Sequence, residues 1–240
     1  MAVPRALDPT GIILVDKPTG PSSFAIVAQI RSRTGARTGH AGTLDPFASG
    51  LLILLSGRAT RIQERFMRLD KRYETTIDLS CRTTTGDPEG DSLDEHDPPD
   101  ADELQDALAR LRGTVELPVP AASAVKVDGE RAYRLHRRGV AVEMPVRAMR
   151  VHELVLRAHD GHTATLELLV GSGTYVRALA DALGGHCTSL RRTEIGPFRV
   201  EEADPERVIP LEHALARLGT VPVRRLSPGQ PGRSAGVDAS

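Results

Sequence analysis

Gly39-His40-Ala41-Gly42-Thr43-Leu44-Asp45-Pro46-Phe47-Ala48-Ser49-Gly50-Leu51-Leu52-Ile53-Leu54-Leu55 joins two kinds of structure in one short stretch. Leu51 to Leu55 is an unbroken apolar run framed by Gly50 and Gly57, the pattern of a strand buried on both faces. The residues before it are punctuated by glycine and read as a loop whose backbone approaches something closely. No Gly-Lys-Ser/Thr follows, so this is not a phosphate-binding P-loop. An Asp followed by Pro, as at Asp45-Pro46, serves a turn as readily as it serves chemistry. Spacing alone leaves the role of Asp45, and of His40 beside it, open.

Outward from the loop, helices and strands mix without regular alternation. Gly11 to Asp16 reads as a strand ending in the turn Lys17-Pro18-Thr19-Gly20-Pro21. A helix follows, capped by Ser22 or Ser23, with Phe24, Val27 and Ile30 as its apolar positions and Gly35 at its end. Beyond Leu55 a basic helix is expected from about Ala59 to Leu69, then a half-buried strand with Tyr73, Thr75, Ile77 and Leu79 inward. Leu104, Ala107, Leu108 and Leu111 form a helical stripe, and a shorter helix covers Ala132 to Arg138. Met149 to Leu156 and His162 to Val170 are strands, and Gly171-Ser172-Gly173 turns into a helix over Thr174 to Leu183. One short helix is expected in Ile209 to Leu218, and the Gly/Pro/Ser-rich Ser227 to Ser240 reads as a disordered tail. The whole favours an α+β fold: a mixed, largely antiparallel sheet with flanking helices. Residues 1–200 are expected to form one main domain and 201–240 a short C-terminal segment.

The 240-residue chain has a net charge of −1, but the average conceals an asymmetry. Residues 1–72 carry 11 Lys/Arg against 5 Asp/Glu, whereas 73–113 carry 3 against 12. The acidic run, Gly86 to Asp106, reads as a solvated surface excursion, and its Asp87-Pro88-Glu89-Gly90-Asp91 lacks the ligand pattern of a calcium loop. Without it the chain is mildly basic. No apolar run is long enough for a membrane helix and no signal peptide opens the chain, so a cytoplasmic protein is expected. Cys81 and Cys187 are isolated, which suggests two reduced thiols. The eight histidines form no i, i+4 pair and no serine sits in a nucleophile elbow, so neither a metal centre nor a serine triad is expected.

Three further residues carry candidate chemistry. Arg177 lies near a helix start, where the helix dipole disfavours a cation, so it is either a solvent-facing arginine or one kept for a partner. Tyr73 and Tyr175 are two of only three tyrosines in a chain without tryptophan. Each suits a core position or a platform for base stacking.

Taken in order, Asp16-Lys17-Pro18-x-Gly20, the loop from Gly39 to Leu52, Lys71-Arg72-Tyr73, Thr83 to Gly90, Ser123 to Tyr133, Gly173 to Leu179 and Leu190-Arg191-Arg192-Thr193 resemble the motifs of the bacterial tRNA pseudouridine synthase B family. The resemblance covers about residues 10–200. It implies the pseudouridine synthase fold with a catalytic cleft, and isomerisation of uridine to pseudouridine at position 55 in the T-arm of tRNA. It assigns Asp45 as the catalytic carboxylate, Arg177 as its cation, and Tyr73 as the base-stacking ring. Tyr175 and Leu190 are expected to line the pocket, Lys17 to support it, and His40 to fill the space left by the flipped uridine. The chemistry imports no group and oxidises nothing, so no cofactor is expected. Arg58, Arg61, Arg65, Arg68, Lys71 and Arg72, with Arg31, Arg33 and Arg37, are expected to hold phosphates. The expected partner is tRNA, with no membrane, no obligatory protein partner and a monomeric state. Family members usually carry a small C-terminal RNA-binding domain, which is expected here to be absent or reduced. Rival readings are a guide-RNA-dependent pseudouridine synthase and a non-catalytic tRNA-binding or folding-chaperone protein.

Overall fold

The computed structural model describes residues 10–219, so Ser227 to Ser240 lies outside the described residues. The sheet grows around two apolar strands. β1 (Gly11–Lys17) leads into α1 (Ser23–Thr34), the short β2 (Thr38–His40) and then β3 (Ser49–Ser56). β1 and β3 pair antiparallel from Gly11 opposite Ser56 to Lys17 opposite Gly50. Both faces of this pair are buried. Leu51, Ile53 and Leu55 pack with Ile12, Leu14 and Phe66 on one side, while Leu52 and Leu54 pack with Ile13, Val15 and α1 on the other.

α1 starts and stops on local chemistry. The Ser22 hydroxyl accepts from the Ala25 amide at 3.2 Å, a cap of about 1 kcal/mol, and Gly35 closes the helix through its own N–H to the Arg31 carbonyl. Ser23, Ile26, Val27 and Ile30 face the sheet. Phe24 does not: it is 74% exposed, contrary to the expected apolar positions. The spacing i, i+3, i+4, i+7 from Ser23 defines one face, and a residue one step on is turned by about 100° away from it.

The expected basic helix over Ala59 to Leu69 is shorter and partly tighter. A 3₁₀ turn over Gly57–Ile62 is followed by α2 (Gln63–Met67), with the Thr60 hydroxyl bonding the Gly57 carbonyl at 2.9 Å. β4 (Lys71–Asp78) comes next, then the hairpin β5 (Cys81–Thr83) and β6 (Ser92–Glu95), then α3 (Ala101–Arg110). Asp100 and Glu103 form a reciprocal capping box at the start of α3. β7 (Gly113–Pro118) precedes an excursion made of β8 (Lys126–Val127), β9 (Glu130–Arg131) and α4 (Ala132–Arg137). β10 (Val146–His159), longer than the expected strand, and β11 (Thr163–Val170) lead into α5 (Val176–Ala182). The chain closes with β12 (His186–Ile195), β13 (Phe198–Arg199), β14 (Ile209–Pro210) and α6 (Leu211–Leu218).

The main sheet runs β14-β1-β3-β12-β4-β11-β10-β7, with β13 and β2 at its margins. All pairings are antiparallel except β12 with β3, at Arg191 opposite Ser49 and Arg192 opposite Gly50. The fold is therefore α+β with a mixed, largely antiparallel sheet. At the parallel step only glycine fits. A Cβ on Gly50 would lie 2.3 Å from the Arg192 carbonyl oxygen, and its φ of +104° is closed to side-chain residues. Residues 209–218 belong to the same core, because β14 pairs with β1 and Ala214 of α6 is buried beside Phe66 and Phe198. Cys187 is buried, with its thiol pushed up to about 12 by burial, and both cysteines are free.

Candidate active site

The loop from Ala41 to Ala48 is held from beneath by buried cations. Arg192, 1% exposed, donates from Nε to the Leu51 carbonyl at 2.7 Å, from Nη1 to Thr43 at 3.3 Å and from Nη2 to Gly42 at 3.1 Å. Lys17 is fully buried and its ammonium reaches the Pro18, Pro21 and Pro46 carbonyls at 2.9, 2.8 and 3.3 Å. Burial lowers its pKa, against the pull of Asp45. Ser23 adds a two-way clamp: its hydroxyl donates to the Leu44 carbonyl and accepts from the Leu44 amide, both at 2.8 Å. Asp45 thus sits on a loop whose backbone is fixed on both sides of it.

Asp45 meets Arg177 from the start of α5. The guanidinium Nε donates to Asp45 Oδ2 at 3.0 Å, Nη1 to the Thr85 carbonyl at 2.5 Å, and Nη2 to the Ala122 carbonyl at 3.0 Å. Nη1 also lies 3.3 Å from Asp87 Oδ2. One arginine, its side chain 3% exposed, therefore joins two carboxylates and two loops. The carboxylates differ sharply in setting. The Asp87 side chain is 6% exposed and accepts from the Thr85 hydroxyl at 2.6 Å and the Glu89 amide at 3.0 Å. The Asp45 side chain is 33% exposed, and among the described residues its Oδ1 accepts no hydrogen bond. Asp87 is held as a fixed counter-charge, while Asp45 keeps one oxygen open toward solvent.

An apolar wall surrounds this pair. Leu44, Ala48, Tyr73, Val176 and Leu190 belong to one buried cluster, with Phe47 packed against it. Tyr175, at the N-cap of α5, packs instead against the cluster of Val119, Val125, Met149 and Ala178. Burial pushes its phenol up, opposed by Arg147 and Arg177. His40 lies at the end of β2, opposite Leu54. Burial and then Arg192 lower its pKa, so the ring is neutral at pH 7, and its Nδ1 is buried without a partner. Asp45, Arg177, Tyr73, Leu190 and Lys17 are thus brought to one loop and its walls. Tyr175 flanks them, and His40 stands at the loop's entrance.

Two sequence readings need correcting here. The acidic run is not all solvated surface, since Asp87 is buried against Arg177. Of the expected phosphate ligands, Arg72 is buried among Glu153, Glu167 and Glu194 at 3.3, 3.4 and 3.1 Å. Lys71 is buried on the Met67 and Leu69 carbonyls, its pKa lowered to about 8 by burial and then by Arg192. Strand alternation turns Arg72 onto a sheet face whose neighbours are acidic, and both side chains are buried rather than open on the surface. Arg33 and Arg68 pair with Glu206 and Glu64. Arg61 and Arg65 remain exposed.

Asp87 and Arg192 were missed as site residues. The signal for Asp87 was an acid directly after the glycine that ends a threonine run. A Cβ on Gly86, whose φ is +71°, would lie 3.2 Å from the Arg177 Cβ, so the chain passes close there. A basic surface was missed too: residues 126–138 carry five Lys/Arg against two Asp/Glu, and hang from the loop whose Ala122 carbonyl holds Arg177.

The family model for TruB family pseudouridylate synthase, N-terminal domain, matches residues 30–176, which include Asp45, Tyr73 and Asp87. The chain belongs to the TruB family. It is a pseudouridine synthase, an isomerase of uridine. The tRNA pseudouridine synthase B of Thermobifida fusca is 40% identical over 93% of this chain and 84% of that relative. That of Pseudomonas aeruginosa is 39% identical over 85% and 70%. Among solved structures, a chain of a Cbf5-Nop10-Gar1 complex matches with a TM-score of 0.60 and 28% identity, over 79% of this chain and half of that one. A chain of an H/ACA RNP bound to a substrate RNA containing 2′-deoxyuridine matches with a TM-score of 0.58 and 25% identity, over 80% and 49%. Among the described residues no group of three or more His, Cys, Asp or Glu side chains is placed to hold a metal, and no helix is long and apolar enough to cross a membrane.

Proposed function

We propose that this TruB-family chain converts a uridine in the T-arm of tRNA, at position 55, to pseudouridine, with Asp45 as the catalytic carboxylate. The observation that carries the reading is the asymmetric sharing of Arg177: Asp45 Oδ2 is anchored at 3.0 Å while Oδ1 is free. In the reaction the C1′–N1 bond breaks, the base turns, C1′–C5 forms, and the proton on C5 is released. A carboxylate oriented by a permanent cation, with one open oxygen, suits either attack at C1′ or removal of a proton at C2′ while the base departs. Tyr73 and Leu190 form the wall on which the extruded base rests. Tyr175 flanks it, Lys17 fixes the loop, and the neutral His40 ring fills the vacated stack. Extruding the uridine costs a few kcal/mol, offset by stacking and hydrogen bonds in the pocket.

A tRNA substrate is favoured over guide-directed RNA by degree of likeness. Identity is about 40% to relatives named tRNA pseudouridine synthase B, against 28% to the chain of the Cbf5-Nop10-Gar1 complex. We propose further that the chain works in the cytoplasm as a monomer, without a guide RNA or protein partner. The test is direct. The purified chain, incubated alone with a tRNA transcript bearing C5-tritiated uridine, is expected to release tritium in proportion to pseudouridine formed. Binding without release would overturn the reading that the chain modifies tRNA alone and leave the guide-dependent and non-catalytic ones.

Arg61 and Arg65, both exposed on the segment that follows β3, are assigned to phosphates of the tRNA. Replacing both with Gln is expected to flatten the slope of log affinity against log salt by about 1.4 to 1.8, since each neutralised phosphate contributes roughly 0.7 to 0.9. An unchanged slope would put the RNA on another face.

A further inference from the structure

Phe24 is the most exposed of the large apolar side chains among the described residues, at 74%. It lines a groove of about 410 Å³ on the flank of α1 beside β2, together with Val27, Ala28, Arg31 and Thr38 among others. Nothing in the catalytic arrangement above uses it.

Charge says what kind of occupant the groove suits. Between Lys17 and Asp45 the chain carries three arginines and no acid. Arg31 lines the groove and Arg37 lies exposed next to its Thr38 end. An exposed aromatic ring over a basic, acid-free channel matches a nucleic-acid strand, where the ring stacks on a base and the arginines meet the phosphates. An acidic surface of a protein would satisfy the arginines but leave the ring's face without a planar partner.

The Thr38 end of the groove adjoins the catalytic loop along the chain. Thr38 opens β2, which ends at His40. A strand leaving the site past His40 therefore has the Thr38 end of the groove two residues away on the same short strand.

We propose that the flank of α1 beside β2 is a second RNA contact, in which Phe24 stacks on a base of the substrate other than the target uridine while Arg31 and Arg37 hold the adjoining phosphates. The inference rests on the tRNA reading above and deepens it. It assigns binding, not chemistry, to Phe24.

The chain has no tryptophan, so Phe24→Trp places a single indole in the groove as a reporter. Titrating that variant with unmodified tRNA is expected to quench and shift its fluorescence, with tRNA affinity kept. Phe24→Ala is expected to raise KM for tRNA about tenfold at unchanged kcat, the pattern of lost uniform binding. Its melting temperature should match the wild type, because the ring is exposed. Arg31→Gln should lower the salt slope by about one. Wild-type KM in Phe24→Ala, alongside normal tritium release, would overturn the second contact and leave the catalytic reading standing. Absence of tritium release from the wild type would remove the catalytic reading, and the indole titration with the same tRNA would still decide the contact. Shielding of the indole from acrylamide that grows with protein concentration, without RNA, would give the groove to a second copy of the chain and overturn the proposal.

Discussion

Asp45→Asn is expected to lower turnover by at least about three orders of magnitude while leaving tRNA affinity within a few-fold of wild type. The amide keeps the shape of the carboxylate, and its oxygen still accepts from Arg177 Nε, which now lies 3.0 Å from Oδ2. What is lost is the charge on the open oxygen, the atom available either to attack C1′ or to take a proton. Folding should survive. Arg177 retains Asp87 at 3.3 Å and the carbonyls of Thr85 and Ala122, so the guanidinium is not left uncompensated. The stability change should stay within about 1 kcal/mol, as for other partly exposed ion pairs. Single-turnover tritium release and filter binding on the same tRNA read the two quantities separately. A fall in affinity that tracks the fall in turnover would make Asp45 a structural residue of the loop.

The contrast between Asp45 and its surroundings shows what local pattern reveals. The strand Leu51 to Leu55 was legible because burial on both faces leaves an unbroken apolar run, and both of its faces are indeed packed. α1 was legible at its ends, where Ser22 and Gly35 act on residues three or four positions away. Its face was misread at Phe24, since an exposed aromatic and a core aromatic look alike in sequence. The acidic run failed for a different reason. Asp87 pairs with Arg177 and Arg72 with Glu153, Glu167 and Glu194, partners 81 to 122 residues apart in the case of Arg72. Arg192 reaches back 150 residues to Gly42. Charges that are neutralised across the sheet are indistinguishable, in one dimension, from charges kept for solvent or phosphate. Ordered motifs brought Asp45, Tyr73 and Arg177 together as a resemblance, and only the register of β12 against β3 and β4 shows what holds them.

Arg177 is where the second large effect is expected. Its guanidinium has four engagements in three directions: Asp45 Oδ2 through Nε, Asp87 Oδ2 and the Thr85 carbonyl through Nη1, and the Ala122 carbonyl through Nη2. Lysine keeps the charge but gathers its donors on one atom, which cannot span both carboxylates and two carbonyls. Arg177→Lys is therefore expected to cut kcat about a hundredfold with KM changed only a few-fold, since a displacement of the catalytic group by about 1 Å is enough for that loss. Arg177→Met goes further by leaving the buried Asp87 without its counter-charge, and should cost on the order of 3 to 5 kcal/mol of stability, a clear drop in melting temperature. The pair of variants separates charge from geometry. If Arg177→Lys turns over like the wild type, a positive charge near Asp45 is sufficient and the fork is dispensable. If both variants lose turnover while Arg177→Lys keeps most of its stability, the planar fork is what holds Asp45 with one oxygen anchored and the other open.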